Sequence, residues 1–368
     1  MSFESFSFYI NTSALLVLFI ITLYNYLTAP GISESNKNIN PEKFVSILIP
    51  ARNENSNIKD CLLSVLNQDY TNFEVIVLDD DSSDNTYNIA ADISAGNNKI
   101  KLLRGKPLPA GWLGKNWACS QLAENSTGEI FLFIDADVRL SDKALSSSMN
   151  IFEDKKLNML SCFPTQQINT IGEWLVVPLM NFFLLSILPL KKVYSSGKKS
   201  LTAANGQFIL IDKKTYEKVG GHKEVANEVV EDMEMARLLK QEGFSILTAL
   251  GWNMISCRMY SNFTNSFNGF SKNFFPGFKT NIIFFLVLIL FFSAIFIYPV
   301  FLLPDNIYYL IPVALIILIR VFISLNSRQN VLLNIILHPL QMVMMLLIAI
   351  NSVWQKKRKN ISWRGRKI

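Results

Sequence analysis

Between residues 44 and 135, short apolar runs alternate with stretches of helical spacing. "FVSILIP" (44–50) is an apolar, β-branched run closed by Pro50, and "NIKDCLLSVLNQ" (57–68) repeats its apolar positions every three to four residues. "FEVIVLD" (73–79) predicts a second strand, and "SSDNTYNIAADIS" predicts a second helix with Ser or Asp available to cap it. "KIKLL", residues 114–126 and "EIFLFID" continue the alternation as strand, helix and strand. Strands that alternate with helices predict an α/β domain on a parallel sheet covered on both faces.

Outside this region the pattern changes to long apolar stretches. Residues 8–27 carry no formal charge over about one bilayer length, no Lys or Arg precedes them, and "LTAP" is a poor cleavage site. They are read as an uncleaved anchor. Stretches near 281–303, 307–325 and 331–353 hold almost no Lys or Arg apart from Arg320 and the linker residue Arg328, and read as membrane helices or re-entrant pieces. "LHPLQ" around Pro339 marks a kink. "GEWLVVPLMNFFLLSILPL" (172–190) tempts a further crossing, but a crossing there would place the acidic motifs on either side of it across the bilayer. It is expected to lie at the interface, as is the Phe-rich run at 262–278. The expected division is therefore an anchor at 1–30, a soluble domain at 42–260 and an interfacial segment at 261–280. Membrane helices at 281–354 and a basic cytoplasmic tail at 355–368 complete it.

The net charge of +6 is concentrated in that tail, which has seven Lys or Arg and no acid. The rest of the chain is close to neutral, which excludes a general nucleic-acid binder and places the tail beside anionic lipid on the cytoplasmic side. A tail and a domain on one side require an even number of crossings between them, whereas three stretches compete for that role. Four scattered cysteines (Cys61, Cys119, Cys162, Cys257) form no CxxC pair, predicting neither a zinc site nor a disulfide framework.

The acidic runs "LDDDSSD" and "DAD", with "PARNE", all fall at predicted carboxyl ends of strands, where parallel sheets bind ligands. Asp135 and Asp137, two apart on an extended segment, should share a face. Two adjacent carboxylates suit Mg²⁺ or Mn²⁺ and leave coordination positions for phosphate oxygens, so a metal–diphosphate site is expected. Other phosphate motifs fail: "GWLGKN" lacks the P-loop spacing, "PARNE" has no glycine for a dinucleotide fingerprint, and Arg139 stands where a D-x-D-x-[TV] phosphatase needs Thr or Val.

"VSILIPARNE", "VIVLDDDSSDNT", "FIDADV" and "GGH…EVVEDMEMARLLKQEG", in this order over about residues 44–260, resemble the family 2 glycosyltransferases of GT-A fold. "LPAGWLGKNWACSQ", "HPL" and "WRGR" are similar to the bacterial membrane-bound branch with hopanoid-associated and carotenoid (diaponeurosporenoate) glycosyltransferases, and more distantly to ceramide glucosyltransferase. The resemblance implies that Pro50, Ala51, Arg52 and Glu54 border the nucleotide and that Asp79 and Asp80 contact uridine. The family usually has Gly where this chain has Asp81. Lys115 matches a lysine near the phosphates, and Asp135 with Asp137 matches the pair holding Mg²⁺ or Mn²⁺ and the donor diphosphate. Asp232 matches the catalytic base of an inverting transfer, and its place at a helix start predicts an ionised carboxylate. Glu231 is expected to orient acceptor or metal. Asn205, Gly206 and His222 are expected on the acceptor side. Arg258 lies where processive members carry Q-x-x-R-W; here Gln and Trp are missing, which favours a single transfer, with Arg258 still a diphosphate ligand.

The partners implied are a nucleotide-sugar donor, with UDP-glucose first, and a lipid acceptor in a bacterial inner membrane. The acceptor classes are a hopanoid, carotenoid, sterol-like alcohol, diacylglycerol, ceramide or polyprenyl phosphate. A polyprenyl-phosphate sugar synthase, a processive polysaccharide synthase and a non-catalytic partner with a relict domain are the alternatives; the last should have lost one of Asp135, Asp137 or Asp232, and all three are present.

Overall fold

The computed structural model describes residues 3–34, 42–358, 362–363 and 366–367. From the N-terminus the elements are α1 (Phe3–Thr28), β1 (Val45–Ala51), α2 (Ile58–Leu66), β2 (Phe73–Asp79), α3 (Thr86–Ala95), β3 (Ile100–Arg104), α4 (Gly114–Glu124) and β4 (Ile130–Ile134). There follow β5 (Val138–Leu140), α5 (Ala144–Asp154), β6 (Met159–Phe163), β7 (Thr165–Gln166), α6 (Ile171–Trp174), α7 (Pro178–Ile187), α8 (Lys191–Ser195) and β8 (Phe208–Asp212). The chain continues through α9 (Lys213–Lys218), α10 (Glu231–Gln241), β9 (Ile246–Leu250), β10 (Ile255–Cys257) and α11 (Phe263–Phe278). It ends with α12 (Ile282–Leu302), α13 (Leu310–Asn326), α14 (Val331–Ile336), α15 (His338–Lys357), β11 (Ser362–Trp363) and β12 (Arg366–Lys367). These elements form two compact units: Pro30–Thr165 with Lys191–Arg258 and Ser362–Ile368, and Met1–Ala29 with Gln166–Leu190 and Met259–Ile361.

The first unit is built on a seven-stranded sheet of order β3-β2-β1-β4-β8-β6-β9. β3, β2, β1 and β4 are parallel, as the alternation predicts. β8 departs from the expected all-parallel sheet, running antiparallel to both β4 and β6. The reason is local: β8 enters at Phe208 opposite Ile134, where β4 leaves, and runs back along it. β1 and β4 are buried at every position, so both faces are covered, and their apolar runs read as continuous rather than alternating. Leu48, Phe131, Phe133, Tyr216, Met235 and Leu239 belong to the core that seats α4 and α10. Connections from β1 lead outward to β2 and β3, whereas β4 lies on the other side of β1. The crevice at the carboxyl ends of β1 and β4 is therefore the topological switch point.

The second unit is helical. Among the described residues three helices are long and apolar enough to cross a membrane: Phe6–Thr28, Ile282–Leu302 and Ile307–Asn326. Ile20, Leu27, Ile283 and Leu290 are exposed, while Asn11, Asn25 and Ser293 are buried, the reverse of a water-soluble bundle. The expected third C-terminal stretch, 331–353, is not one continuous helix: it breaks at Leu337 into α14 and α15, with Pro339 in the first turn of α15. Pro339 thus starts a helix, where its missing N–H costs nothing, instead of kinking one. At 10 residues α7 reaches about half the hydrocarbon thickness and cannot span it. Asn25 fixes its end, donating from Nδ2 to the carbonyls of Leu185 and Leu188 (both 2.8 Å) and accepting from the Leu190 N–H (2.8 Å). Of the basic tail, residues 359–361, 364–365 and 368 lie outside the described residues.

Candidate active site

The donor side of the crevice is made by two loops fastened to each other. The Asp80 N–H donates to the Ala51 carbonyl (2.8 Å), and Arg52 Nη1 donates to the carbonyls of Asp80 and Asp81. Asn53 accepts from the Ser83 N–H (2.9 Å), and the Glu54 N–H donates to Thr86 Oγ1 (2.7 Å). Pro50 and Ala51 sit opposite Leu78 and Asp79 in parallel register, so "PARNE" and "DDDSSD" end side by side. Asp79 and Asp80 are buried, and Asp79 Oδ1 is a buried acceptor with no hydrogen-bond partner, an oxygen that a ligand N–H or O–H would satisfy. Asp81 is different. Its side chain is 84% exposed, 3.7 Å from Arg52 Nη1, and its φ is +56°, a left-handed conformation that glycine adopts more cheaply.

At the centre of the crevice stands Lys115, in the first turn of α4. Its Nζ lies 2.8 Å from Asp135 Oδ1 and 3.1 Å from Glu231 Oε1, with the Gly206 carbonyl at 3.4 Å. Burial pulls its pKa down, but Asp135 and Glu231 outweigh this and hold it well above the usual lysine value. Asp232, on the next residue of α10, accepts from the Gly206 N–H (2.7 Å) and from its own helix at Met233 (2.7 Å). A Cβ on Gly206 would meet Lys115 Nζ at 3.0 Å and Glu231 Oε1 at 3.1 Å, so glycine is what lets lysine, glutamate and backbone converge. Asn205 positions Gly206: its N–H donates to Ser161 Oγ (2.7 Å), and its Oδ1 accepts from the Gln207 N–H (2.9 Å).

Three expectations are corrected by this geometry. Asp135 and Asp137 do not alternate along a strand, because β4 ends at Ile134 and residues 135–137 form a turn closed by the Val138 N–H on the Asp135 carbonyl (3.1 Å). Asp135 faces Lys115. Asp137 is buried beside the Cys257 thiol, which burial and Asp137 together hold well above its usual pKa. Next, Asp232 is not an ordinary ionised carboxylate: burial, then Glu231, push its pKa up to about 7, against the lowering pull of Lys115 and two backbone N–H bonds. The helix start alone is too weak to prevent this. Finally, His222 is a core residue. Tyr216 Oη is hydrogen-bonded to its Nδ1 (2.8 Å) and accepts its backbone N–H (3.1 Å), its ring packs on Phe133, and burial, then Lys115, lower its pKa to about 3. The "GGH" glycines serve this packing: Gly221 has φ +59° and any Cβ there would strike the Tyr216 ring at 2.6 Å.

Arg258 follows β10, whose pairing of Cys257 with Val138 leaves Arg258 one step beyond, abreast of Asp137. Asn116 was not singled out by the sequence, although it adjoins Lys115 in "GKNW". Its Nδ2 donates to the carbonyls of Val225 (2.7 Å), Ala226 (3.1 Å) and Glu228 (3.0 Å), fixing the loop that delivers α10. All four cysteines are free and buried. Among the described residues no group of three or more His, Cys, Asp or Glu is poised around a metal. The donor set nevertheless fits a hard cation completed by ligand oxygens: Asp135 is partly exposed and already binds a positive charge, that of Lys115.

Comparison with known proteins agrees with this architecture. The chain is 27% identical over 237 residues to the 4,4'-diaponeurosporenoate glycosyltransferase of Staphylococcus haemolyticus, covering 63% of this chain and 61% of the relative. It is 34% identical over 116 residues to the beta-monoglucosyldiacylglycerol synthase of Trichormus variabilis, covering 31% and 24%. The chain thus spans less than two thirds of the length of either relative. Among solved structures, a mannosyltransferase from Pyrobaculum calidifontis in complex with GDP-Man and Mn²⁺ matches with a TM-score of 0.55 at 13% identity, covering 94% of this chain and 95% of that one, a likeness of fold. Residues 46–220 match the family model described as Glycosyl transferase family 2, and with the GT-A-like mixed sheet this identifies the chain as carrying a family 2 glycosyltransferase domain.

Proposed function

We propose that the protein is a membrane-bound inverting glycosyltransferase that moves one sugar from a nucleotide-sugar, UDP-glucose first, to a hydroxyl of a lipid acceptor. The observation that carries this reading is the ion-paired chain Asp135–Lys115–Glu231, which brings the donor-side aspartate to the helix that bears Asp232. Donor and acceptor chemistry thereby share one small space. The relatives' names, a carotenoid-type acid and a diacylglycerol as acceptors, support a lipid acceptor, as do the three candidate crossings.

In this reading the nucleotide lies along Pro50, Ala51, Arg52, Glu54, Asp79 and Asp80, and Lys115 and Arg258 meet its phosphates. Asp135 would hold Mg²⁺ or Mn²⁺ with the donor's diphosphate, and Asp137 would join it if the 135–137 turn re-forms on binding. When bound, that metal supplies Lewis-acid neutralisation of the charge on the departing nucleoside diphosphate. Asp232 removes the acceptor hydroxyl's proton as that oxygen bonds to the anomeric carbon. The bond from this carbon to the phosphate oxygen breaks on the opposite face, and its electron pair leaves with the diphosphate. Glu231 and Lys115 fix the position of the base, and Asn205 sets the Gly206 N–H that orients its second oxygen. Two candidate crossings follow residue 260, the even number that a catalytic domain and basic tail on one side require. This supports a multi-pass protein of the bacterial inner membrane with the domain in the cytoplasm.

The test is sugar transfer in membranes expressing the chain, with labelled UDP-glucose, Mn²⁺ or Mg²⁺, and Asp232→Asn as control, followed by other nucleotide sugars. A metal-dependent labelled lipid that is absent from the control is expected, and its mass identifies the acceptor. Labelled polymer in the aqueous phase without labelled lipid would refute single transfer.

A further inference from the structure

A second polar cluster lies inside the helical unit and uses none of the residues above. Arg320, within the candidate crossing Ile307–Asn326, is 1% exposed. Its Nε donates to His338 Nδ1 (2.6 Å), and its guanidinium stacks 3.7 Å from the centroid of the Phe182 ring. No acidic side chain among the described residues pairs with it, and its Nη2 is buried without an acceptor. Ser324 stands one turn further along α13, on the same face. Asn334 of α14 donates to Ser324 Oγ (2.9 Å) and to Gln329 Oε1 (3.0 Å), and accepts from Gln341 of α15 (3.2 Å). Gln329 Nε2 is a second buried donor with no acceptor.

Around Arg320 the arrangement lacks acceptors, although Gln341 Oε1 and His338 Nε2 of α15 are also buried without partners. Guanidinium keeps its charge under all ordinary conditions, so burial cannot be relieved by losing a proton. His338 meets it through the lone pair of a neutral imidazole, and the Phe182 ring face is only weakly negative. A cation at membrane depth normally has a counter-charge or a route to the interface, and a buried one marks a functional position. What Arg320 and Gln329 lack is an acceptor oxygen, and Arg320 lacks a negative charge as well. Arg320 lies six residues before the end of α13, about 9 Å along the axis, within reach of the headgroup layer.

We propose that the Arg320 cluster is a binding site for the headgroup oxyanion of a lipid, phosphate or carboxylate, with Arg320 as counter-charge and Gln329 as a further donor. The site does not depend on sugar transfer and can be tested without it. The full-length protein, purified in detergent, would be exchanged into vesicles of phosphatidylglycerol with phosphatidylcholine, or of phosphatidylcholine alone. Retained lipid would be read by native mass spectrometry, with inorganic phosphate as a competitor. The wild type should retain phosphatidylglycerol in preference to phosphatidylcholine, Arg320→Lys should keep most of that preference, and Arg320→Gln should reduce it about tenfold. Inorganic phosphate should not displace the lipid. Equal retention by wild type and Arg320→Gln, or no preference in the wild type, would overturn the proposal and leave Arg320–His338 as a helix joint. Displacement by inorganic phosphate alone would overturn the lipid as occupant. Should Arg320→Gln fail to fold, the wild-type preference and the Arg320→Lys arm decide.

Discussion

Lys115→Met is the perturbation that separates the roles of the central ion cluster. In the wild type Asp232 is held at about 7, so the ionised base accounts for about half the molecules at pH 7, about one in eleven at pH 6 and about nine in ten at pH 8. The base works deprotonated, so kcat/KM should rise about tenfold from pH 6 to pH 8 and then level. An aspartate at its ordinary value of 3.8 would give a flat profile over that range. Lys115 lowers the Asp232 pKa, and removing an opposite charge beside a carboxylate raises its pKa, by roughly 1–3 at close range. Lys115→Met should therefore move the acid limb to about pH 8 or above and reduce activity at pH 7 at least about fivefold, beyond any loss of donor affinity.

The assay is initial-rate sugar transfer to the identified lipid between pH 5.5 and 9, with donor varied at each pH so that kcat/KM and kcat are resolved. Far-UV circular dichroism of each variant controls for folding. A flat wild-type profile from pH 6 to pH 8 would refute the raised pKa. A Lys115→Met profile with an unmoved limb and a lowered plateau would show that the lysine serves the phosphates alone and does not tune the base.

Four further outcomes follow from the same geometry. Asp232→Asn should abolish transfer yet raise the melting temperature at pH 8, because a folded-state pKa of about 7 makes the native aspartate costlier as pH rises from its unfolded value; the margin should narrow toward pH 4. Gly206→Ala should lower kcat by about tenfold or more with the fold retained, since the new methyl presses on Lys115 and Glu231 at 3.0 and 3.1 Å; unchanged kinetics would contradict the convergence described. Asp81→Gly should keep full activity and gain about 0.5–1 kcal/mol by relieving a left-handed aspartate, measured by thermal denaturation. His222→Gln should cost about 1–3 kcal/mol of stability through the lost Tyr216 bond while leaving kcat within about twofold, and a large kcat effect would restore it to the acceptor site.

Much of this was legible because strand ends announce themselves. The runs 44–50, 73–79 and 129–135 coincide with β1, β2 and β4 to within a residue or so, and their acidic or polar successors had to lie at one edge of the sheet. Order along the chain did not reveal β8, since its antiparallel entry depends on where residues 196–207 deliver it rather than on its own apolar pattern. That one reversal matters for the site: it brings residues 205–207 against the end of β4, where the Asp135 N–H donates to the Gln207 carbonyl (3.3 Å).

The failed side-by-side placement of Asp135 and Asp137 has the same origin. Alternation holds only while a strand has neighbours to pair with, and β4 loses them one after the other. Its ladder with β1 is complete at Leu48–Phe133, and its ladder with β8 at Ile134–Phe208. One residue later the ladders end with the Asp135 N–H on the Gln207 carbonyl, so the chain turns, and two aspartates with identical sequence credentials receive opposite surroundings. Asp135 stays at the mouth with Lys115, whereas Asp137 follows β5 inward toward Cys257. A motif written as D-x-D thus states which side chains are available but not which way each faces; the length of the neighbouring ladders decides that. By this reasoning Asp135→Asn should impair donor and metal binding directly. Asp137→Asn should first disturb the β5–β10 pairing around Cys257 and Val138, detectable as a lowered melting temperature in donor-free protein. Equal loss of donor affinity in both variants with unaltered stability would mean that the turn re-forms on binding and brings the two carboxylates together after all.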